Sequence, residues 1–348
     1  MATLNGCFQK TPVVILKYRF MKGTAGKISV PGNGTALYDL QNSIVRVLAY
    51  FDMFAYPVSI EEIRFFLDKK ADHDLLPDAM RQLLQEKHIF RYDQFYSLRD
   101  DCSLAGKRIK DNQRAAALMA TARKAAAFLY RFPYVRGVGI SGSLSKNVAN
   151  EKADIDFFII TKSNRLWIAR TLMHLFKKLS FLTGKQHWYC MNYYIDEEAL
   201  QIEEQNIFTA MELITMIPVS GNGTMQKFFT ANEWATFYYP SYAGKAASSK
   251  TTAPHSWLKS RIEKLFDNRM GNSIDDYLMR LTTKRWNKKE EKEKMNIEGR
   301  RMGLRTGKHF SKPNPAFLQH TLLSLYKNKL AAYTPHPPKG GVDSSRTE

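Results

Sequence analysis

Cysteine is scarce in this chain. Cys7, Cys102 and Cys190 are the three in 348 residues, and none stands at a metal-ligand spacing from another. So small and odd a set fits a reducing cytoplasm better than a disulfide framework. The eight histidines form no HxxxH and no His/Cys cluster, which leaves zinc chemistry without ligands. No apolar run approaches the ~20 residues that a membrane-spanning helix needs. The opening MATLNGCFQKTPVVILKYRF puts a Lys before an apolar patch too short for a secretory core. There is no internal repeat. These absences point to a cytoplasmic chain without a membrane partner.

Positive charge is what the chain has in excess. Its 52 Lys and Arg outnumber 33 Asp and Glu, a net +19 that favours polyanions such as RNA, DNA, nucleotides or an acidic surface. Charge alone also fits a protein that is merely basic and soluble. Over half of the excess lies in Gly244–Lys312, with eighteen Lys/Arg against eight Asp/Glu. The length suggests two or three domains of ~100–200 residues each, and 44% hydrophobic residues can fill their cores.

Residues 1–36 mix Lys, Gly, Thr and Pro without a sustained period and read as an extension, partly disordered. Residues 37–104 change character. Ile44, Val47, Leu48, Phe51 and Phe54 recur at helical spacing, and Ser59 with Glu62 forms a capping box for a second helix. A third helix over about 76–87 has Pro77 in its first turn. HIFRYDQFYSL then supplies two short strands. Three helices and a hairpin resemble a winged helix, which reads DNA through its third helix or serves as a protein-interaction module. The mixed charge of that helix (Asp78, Arg81, Glu86, Lys87) argues against the first role.

Residues 105–218 predict a small α+β core with a mixed sheet. An Ala-rich helix over 107–132 stops at Pro133, and Val135–Thr161 follows as VRGVGISGSLSKNVANEKADIDFFIIT. Its first strand turns at Gly142-Ser143; ten residues later Asp154-Ile155-Asp156 opens a second strand, Phe157–Ile160. A helix over 165–182 and an aromatic strand over 186–195 complete strand, turn, strand, helix, strand. Residues 219–330 read as a basic helical C-terminal domain, and 331–348 as a disordered tail. The aromatic group in Phe228–Tyr242 reads as helix packing rather than a base-stacking platform.

Acids at i and i+2 on a strand share a face and can hold one metal ion, and a Gly-Ser turn can offer N–H groups and a hydroxyl to phosphate. At this spacing, and with strands on both sides, Gly142-Ser143 and Asp154-x-Asp156 resemble the signature of the polymerase-β-like nucleotidyltransferase superfamily. Cys190–Pro218 further resembles a bacterial branch of nucleotidyltransferase-domain proteins with an N-terminal winged-helix-like region. The resemblance covers Lys107–Ile195 best. It implies that Gly142 and Ser143, with Lys146 as an added contact, hold the triphosphate of an NTP such as ATP. It also implies that Asp154 and Asp156 bind Mg²⁺, or Mn²⁺ in its place, for in-line displacement at the α-phosphate.

One expected part is missing. The superfamily usually carries a third acid on the next strand, and residues 186–195 contain none. Asn192 is the polar residue expected opposite the acids, with Asp196 just past the strand and Glu212 on the following helix as other substitutes. Two function classes therefore stand. One is an Mg²⁺-dependent transferase moving NMP to a small molecule, a protein or RNA, with RNA or DNA contact through the basic C-terminal region. The other is a catalytically degenerate nucleotide- or nucleic-acid-binding regulatory protein. A helical scaffold with incidental charge is a third, blander reading.

Overall fold

A computed structural model describes residues 33–70, 74–151, 153–180, 182, 186–242, 257–292, 303–313 and 316–333. The expected extension lies almost wholly outside them, as do residues 334–348 of the expected tail. Most of the charged run that ends in Arg300 and Arg301 is outside them too.

The N-terminal unit begins with α1 (Asn33–Asp52), β1 (Val58–Ser59), α2 (Ile60–Phe66), α3 (Leu76–Gln85), β2 (Phe90–Tyr92) and β3 (Phe95–Ser97). Its sheet is antiparallel in the order β1-β3-β2. Ile44, Val47, Leu48 and Phe51 are buried, at the helical spacing that makes α1 amphipathic. Phe54 is not. The helix stops at Asp52, the Phe54 N–H donates to the Phe51 carbonyl in a turn, and Ala55 takes a left-handed φ of 51°, leaving the Phe54 ring 49% exposed. Ser59 caps α2: its hydroxyl accepts from the Glu62 N–H while Glu62 accepts from the Ser59 N–H.

The long α4 (Ser103–Leu129) joins this unit to the core. Its buried side is largely alanine (Ala115, Ala122, Ala125, Ala126), so the helix can lie close on the sheet. After β4 (Val135–Ser141) come the single turn α5 (Gly142–Ser145), β5 (Asp156–Thr161), α6 (Leu166–Ser180) and β6 (Cys190–Asp196). Next are α7 (Ile207–Thr215), β7 (Ile217–Ser220), α8 (Asn222–Ala231), α9 (Ala235–Tyr238), α10 (Trp257–Phe266) and α11 (Arg269–Glu291). The last elements are β8 (Leu304–Thr306), β9 (Phe310–Pro313) and α12 (Ala316–Tyr333).

The main sheet has the order β7-β4-β5-β6-β9-β8, with β5–β6 the parallel pair among antiparallel ones. This is a mixed α+β architecture. Strand β5 is apolar from Phe157 to Ile160 because both its faces are covered there. Phe157 and Ile159 pack with α4 and α6, while Phe158 and Ile160 pack with Ile195, Met225 and Phe228 on the other side.

The segment 219–330, expected as helical, also contributes β8 and β9. Phe310 and Ser311 pair with Ile195 and Tyr194, closing an edge that β6 would otherwise leave open. Helix α12 returns to the N-terminal unit, where Tyr326 packs against Tyr50 and Phe208 and Lys329 pairs with Asp52.

Asp275 of α11 is buried and accepts a 2.8 Å hydrogen bond from the Ile168 N–H in the first turn of α6. Burial outweighs that bond and pushes its carboxyl up to about 7. A folded-state pKa raised above the unfolded 3.8 favours folding while the group is protonated, and that contribution is lost as pH rises through about 7. Asp275→Asn keeps the acceptor and removes the titration. Urea denaturation should therefore find the two proteins matched near pH 4 and the variant ahead by ~2–4 kcal/mol above pH 8.

Candidate functional site

Strands β4 and β5 bring the turn and the acids together. Ser141 is opposite Asp156 in their antiparallel ladder, so the chain leaves β4 beside the carboxylate. Gly142 has φ +68°, and a Cβ there would stand 2.4 Å from Oδ2 of Asp156. The position accepts glycine alone on two counts, backbone conformation and space. Gly142→Ala should push the Asp156 side chain aside and cost about 1–3 kcal/mol of stability, read as a lowered urea midpoint.

Asp156 is the first residue of β5, and Asp154 lies just before it. The ladder continues backward nonetheless, since the Ile155 N–H donates to the His187 carbonyl and the Cys190 N–H to the Ile155 carbonyl. Asp154 is 45% exposed, and its Oδ1 is 2.6 Å from Nδ1 of His187. Asp156 is less open. Burial first, then the charges of Asp154 and Glu212, push its carboxyl up to about 6 against the pull of Cys190 and Lys146.

The parallel β6 supplies the neighbouring side chains. Asn192 Nδ2 donates to Asp156 Oδ1 at 2.9 Å, so the structure places the amide beside the acid, at the point where the β5–β6 register shifts between Met191 and Tyr193. Cys190 is opposite Asp156, and burial together with that acid pushes its thiol up to about 11. Its Sγ donates to Asn192 Oδ1 at 3.3 Å.

The other two substitutes go elsewhere. Asp196 is opposite Thr161, roughly 17 Å further along the sheet at 3.3 Å per residue. It is fully buried and accepts from the Asn164 and Glu198 N–H groups with His309 at 2.9 Å, which makes it a structural carboxylate. Glu212 holds Lys146, with Nζ at 2.7 Å from its carboxylate and 3.1 Å from the Gly142 carbonyl. Lys146 is thus fixed across the turn. Ser143 is exposed on the same turn.

A divalent cation can be judged against these donors. Among the described residues no group of three or more His, Cys, Asp or Glu is arranged to hold a metal ion. Mg²⁺ asks for less: it commonly takes one or two carboxylates and completes its shell with waters and phosphate oxygens. Asp154 and Asp156 meet that need with hard oxygens. Burial first and then repulsion from Asp154 raise the proton affinity of Asp156, and a cation bound between the two acids would relieve that repulsion.

His187 was missed in the sequence because thirty-three residues separate it from Asp154 and only the parallel pairing unites them. In the basic region Arg305 donates to Glu204 at 2.6 Å. Exposed cations follow one another along α11 at Arg280, Lys284, Arg285 and Lys288. In the N-terminal unit, Arg81 of α3 is taken up by Asp78 at 2.8 Å. No described helix is long and apolar enough to cross a membrane.

Comparison with family models, with curated proteins and with solved structures gave no match, so this geometry stands on its own.

Proposed function

We propose that the chain is an Mg²⁺-dependent nucleotidyltransferase that moves NMP from an NTP to an acceptor hydroxyl on a small molecule, a protein or RNA, with pyrophosphate leaving and the hydroxyl proton passing to solvent. The observation that carries this reading is the contact between turn and acid. The backbone at Gly142 lies so close to Asp156 that a methyl group would not fit between them. A triphosphate on Gly142 and Ser143 therefore reaches the carboxylates without crossing a gap.

Each residue has a part in that reading. Gly142 and Ser143 take phosphate oxygens, and Lys146, anchored by Glu212, places a cation beside them. Asp154 and Asp156 hold Mg²⁺, which when bound neutralises charge on the reacting phosphates. Asn192 orients Asp156 through its 2.9 Å hydrogen bond. Asp156 and Asp154 differ in surroundings, one half-buried and one open, so the inner acid is fixed while the outer one meets solvent and His187. The exposed cations of α11 suit an RNA or DNA strand, whose binding would weaken as salt rises.

Asn192 favours a second reading, a nucleotide-binding regulatory protein without turnover, because an amide carries no charge and accepts no proton at neutral pH. Transfer of label from α-labelled ATP, GTP, CTP and UTP to small molecules, RNA and the protein itself separates the two. The Asp154→Ala/Asp156→Ala protein is the control. Metal-dependent transfer lost in that variant supports the enzyme. Thermal stabilisation by NTP and Mg²⁺ with no transfer supports the regulator, and neither result in Mg²⁺ or Mn²⁺ removes both.

A further inference from the structure

A cavity of about 200 Å³ opens beside the phosphate turn. On one side are Gly142, Ser143 and Lys146 of the core, with Glu212. The opposite side belongs to the N-terminal unit, whose segment from Tyr50 to Pro57 brings Phe54 and Tyr56 to the opening. This segment is firmly held. The Tyr56 hydroxyl donates to the Lys146 carbonyl at 2.9 Å, and the Arg108 guanidinium stacks on the Tyr56 ring at 3.6 Å.

Lys146 pairs with Glu212 and Arg108 with Glu62, both at 2.7 Å, and Lys107 lies 3.8 Å from Asp111. Beyond the turn, a neutral flat guest would find aromatic rings and polar edges. The volume is below the ~300–1,000 Å³ that a whole drug-sized ligand occupies, and suits a single ring system. Phe54 adds the clearest sign: a large apolar ring that lines the cavity and is held half-exposed by a tight turn. Its neighbour Tyr50, at 5.8 Å between ring centres, backs it.

We infer that this slot takes the base of the nucleotide whose phosphates rest on Gly142 and Ser143. The N-terminal unit is then a wall of the nucleotide site. The inference builds on the transferase reading of the turn, and the two can fail separately. Stacking suits any base, because each has a π face.

Isothermal titration of ATP with Mg²⁺, of adenosine, and of inorganic tripolyphosphate with Mg²⁺ tests it on the full chain. The proteins compared are wild type, Phe54→Ala and Phe54→Trp. Phe54→Ala should weaken ATP and adenosine by about tenfold to a hundredfold. Phe54→Trp should keep them, and tripolyphosphate should bind all three proteins alike. Unchanged ATP affinity in Phe54→Ala would overturn the inference while leaving the turn as a phosphate site. Equal losses for ATP and tripolyphosphate would also overturn it, showing Phe54 to act on the fold of the turn. If tripolyphosphate fails on wild type while adenosine binds through Phe54, the slot stands and the transferase reading falls. Binding of none of the three ends both.

Discussion

Asp156→Asn should cripple the nucleotide transfer proposed for this chain while making the free protein more stable. Both effects come from one carboxylate. It sits half-buried at the head of β5, facing Asp154 and Glu212, and its pKa is raised from 3.8 to about 6. Folding then favours the protonated acid: the contribution is fully present below pH 3.8 and is lost as pH rises through about 6. At pH 7.5 the ionised wild type bears the whole cost of burial and repulsion, whereas the amide of the variant bears neither. Urea denaturation without metal should place the variant ahead by about 1–3 kcal/mol at pH 7.5 and level near pH 4. Transfer should fall at least ~10²-fold, the usual loss when an electrostatic group at a reacting centre is removed. Nucleotide with Mg²⁺ should reverse the stability order, because it stabilises only the protein that binds it. A variant less stable than wild type at pH 7.5 would show that the Asn192 hydrogen bond outweighs the repulsion.

The pair of features at the centre was legible because both are local. Asp154-x-Asp156 leads straight into four buried apolar residues, and a Gly-Ser turn ten residues earlier ends a strand that can only return beside them. Asn192 was legible one step further out, once β6 was taken as the neighbour of β5. What surrounds the pair was not. His187 reaches Asp154, and Tyr56 reaches Lys146, across 33 and 90 residues of sequence. No periodicity carries such contacts. The strands β8 and β9 escaped for another reason: at three and four residues, with Arg305 and Lys312 among them, they lack the apolar alternation that marks a strand. Phe54 misled because it continues the spacing of α1 beyond the point where the helix ends.

Arg108→Met should loosen the whole junction between the N-terminal unit and the core, and with it the site. The guanidinium is 4% exposed. Its Nη1 donates to the Pro57 carbonyl at 2.8 Å, Nη2 to Glu62 at 2.7 Å and Nε to Asn112 at 2.9 Å, while its plane covers Tyr56. Every partner but Asn112 belongs to the N-terminal unit, so this one side chain of α4 ties to that unit at several points, beside the contacts of Tyr56 with Lys146 and of Asp52 with Lys329. Methionine keeps much of the volume but leaves Glu62 and the Pro57 carbonyl without their donor. Removing one partner of a buried ion pair costs ~3–5 kcal/mol; with Glu62 26% exposed, about 2–4 kcal/mol is the expected loss in urea denaturation. Glu62 also accepts from the Ser59 N–H, so Arg108→Met/Glu62→Gln should recover part of the loss rather than add to it. Because Tyr56 ties this network to the carbonyl of Lys146, nucleotide stabilisation should fall in the single variant and return in part in the double one. Additive losses in the double variant would show instead that Arg108 acts through packing on Tyr56 and Phe95, not through the ion pair.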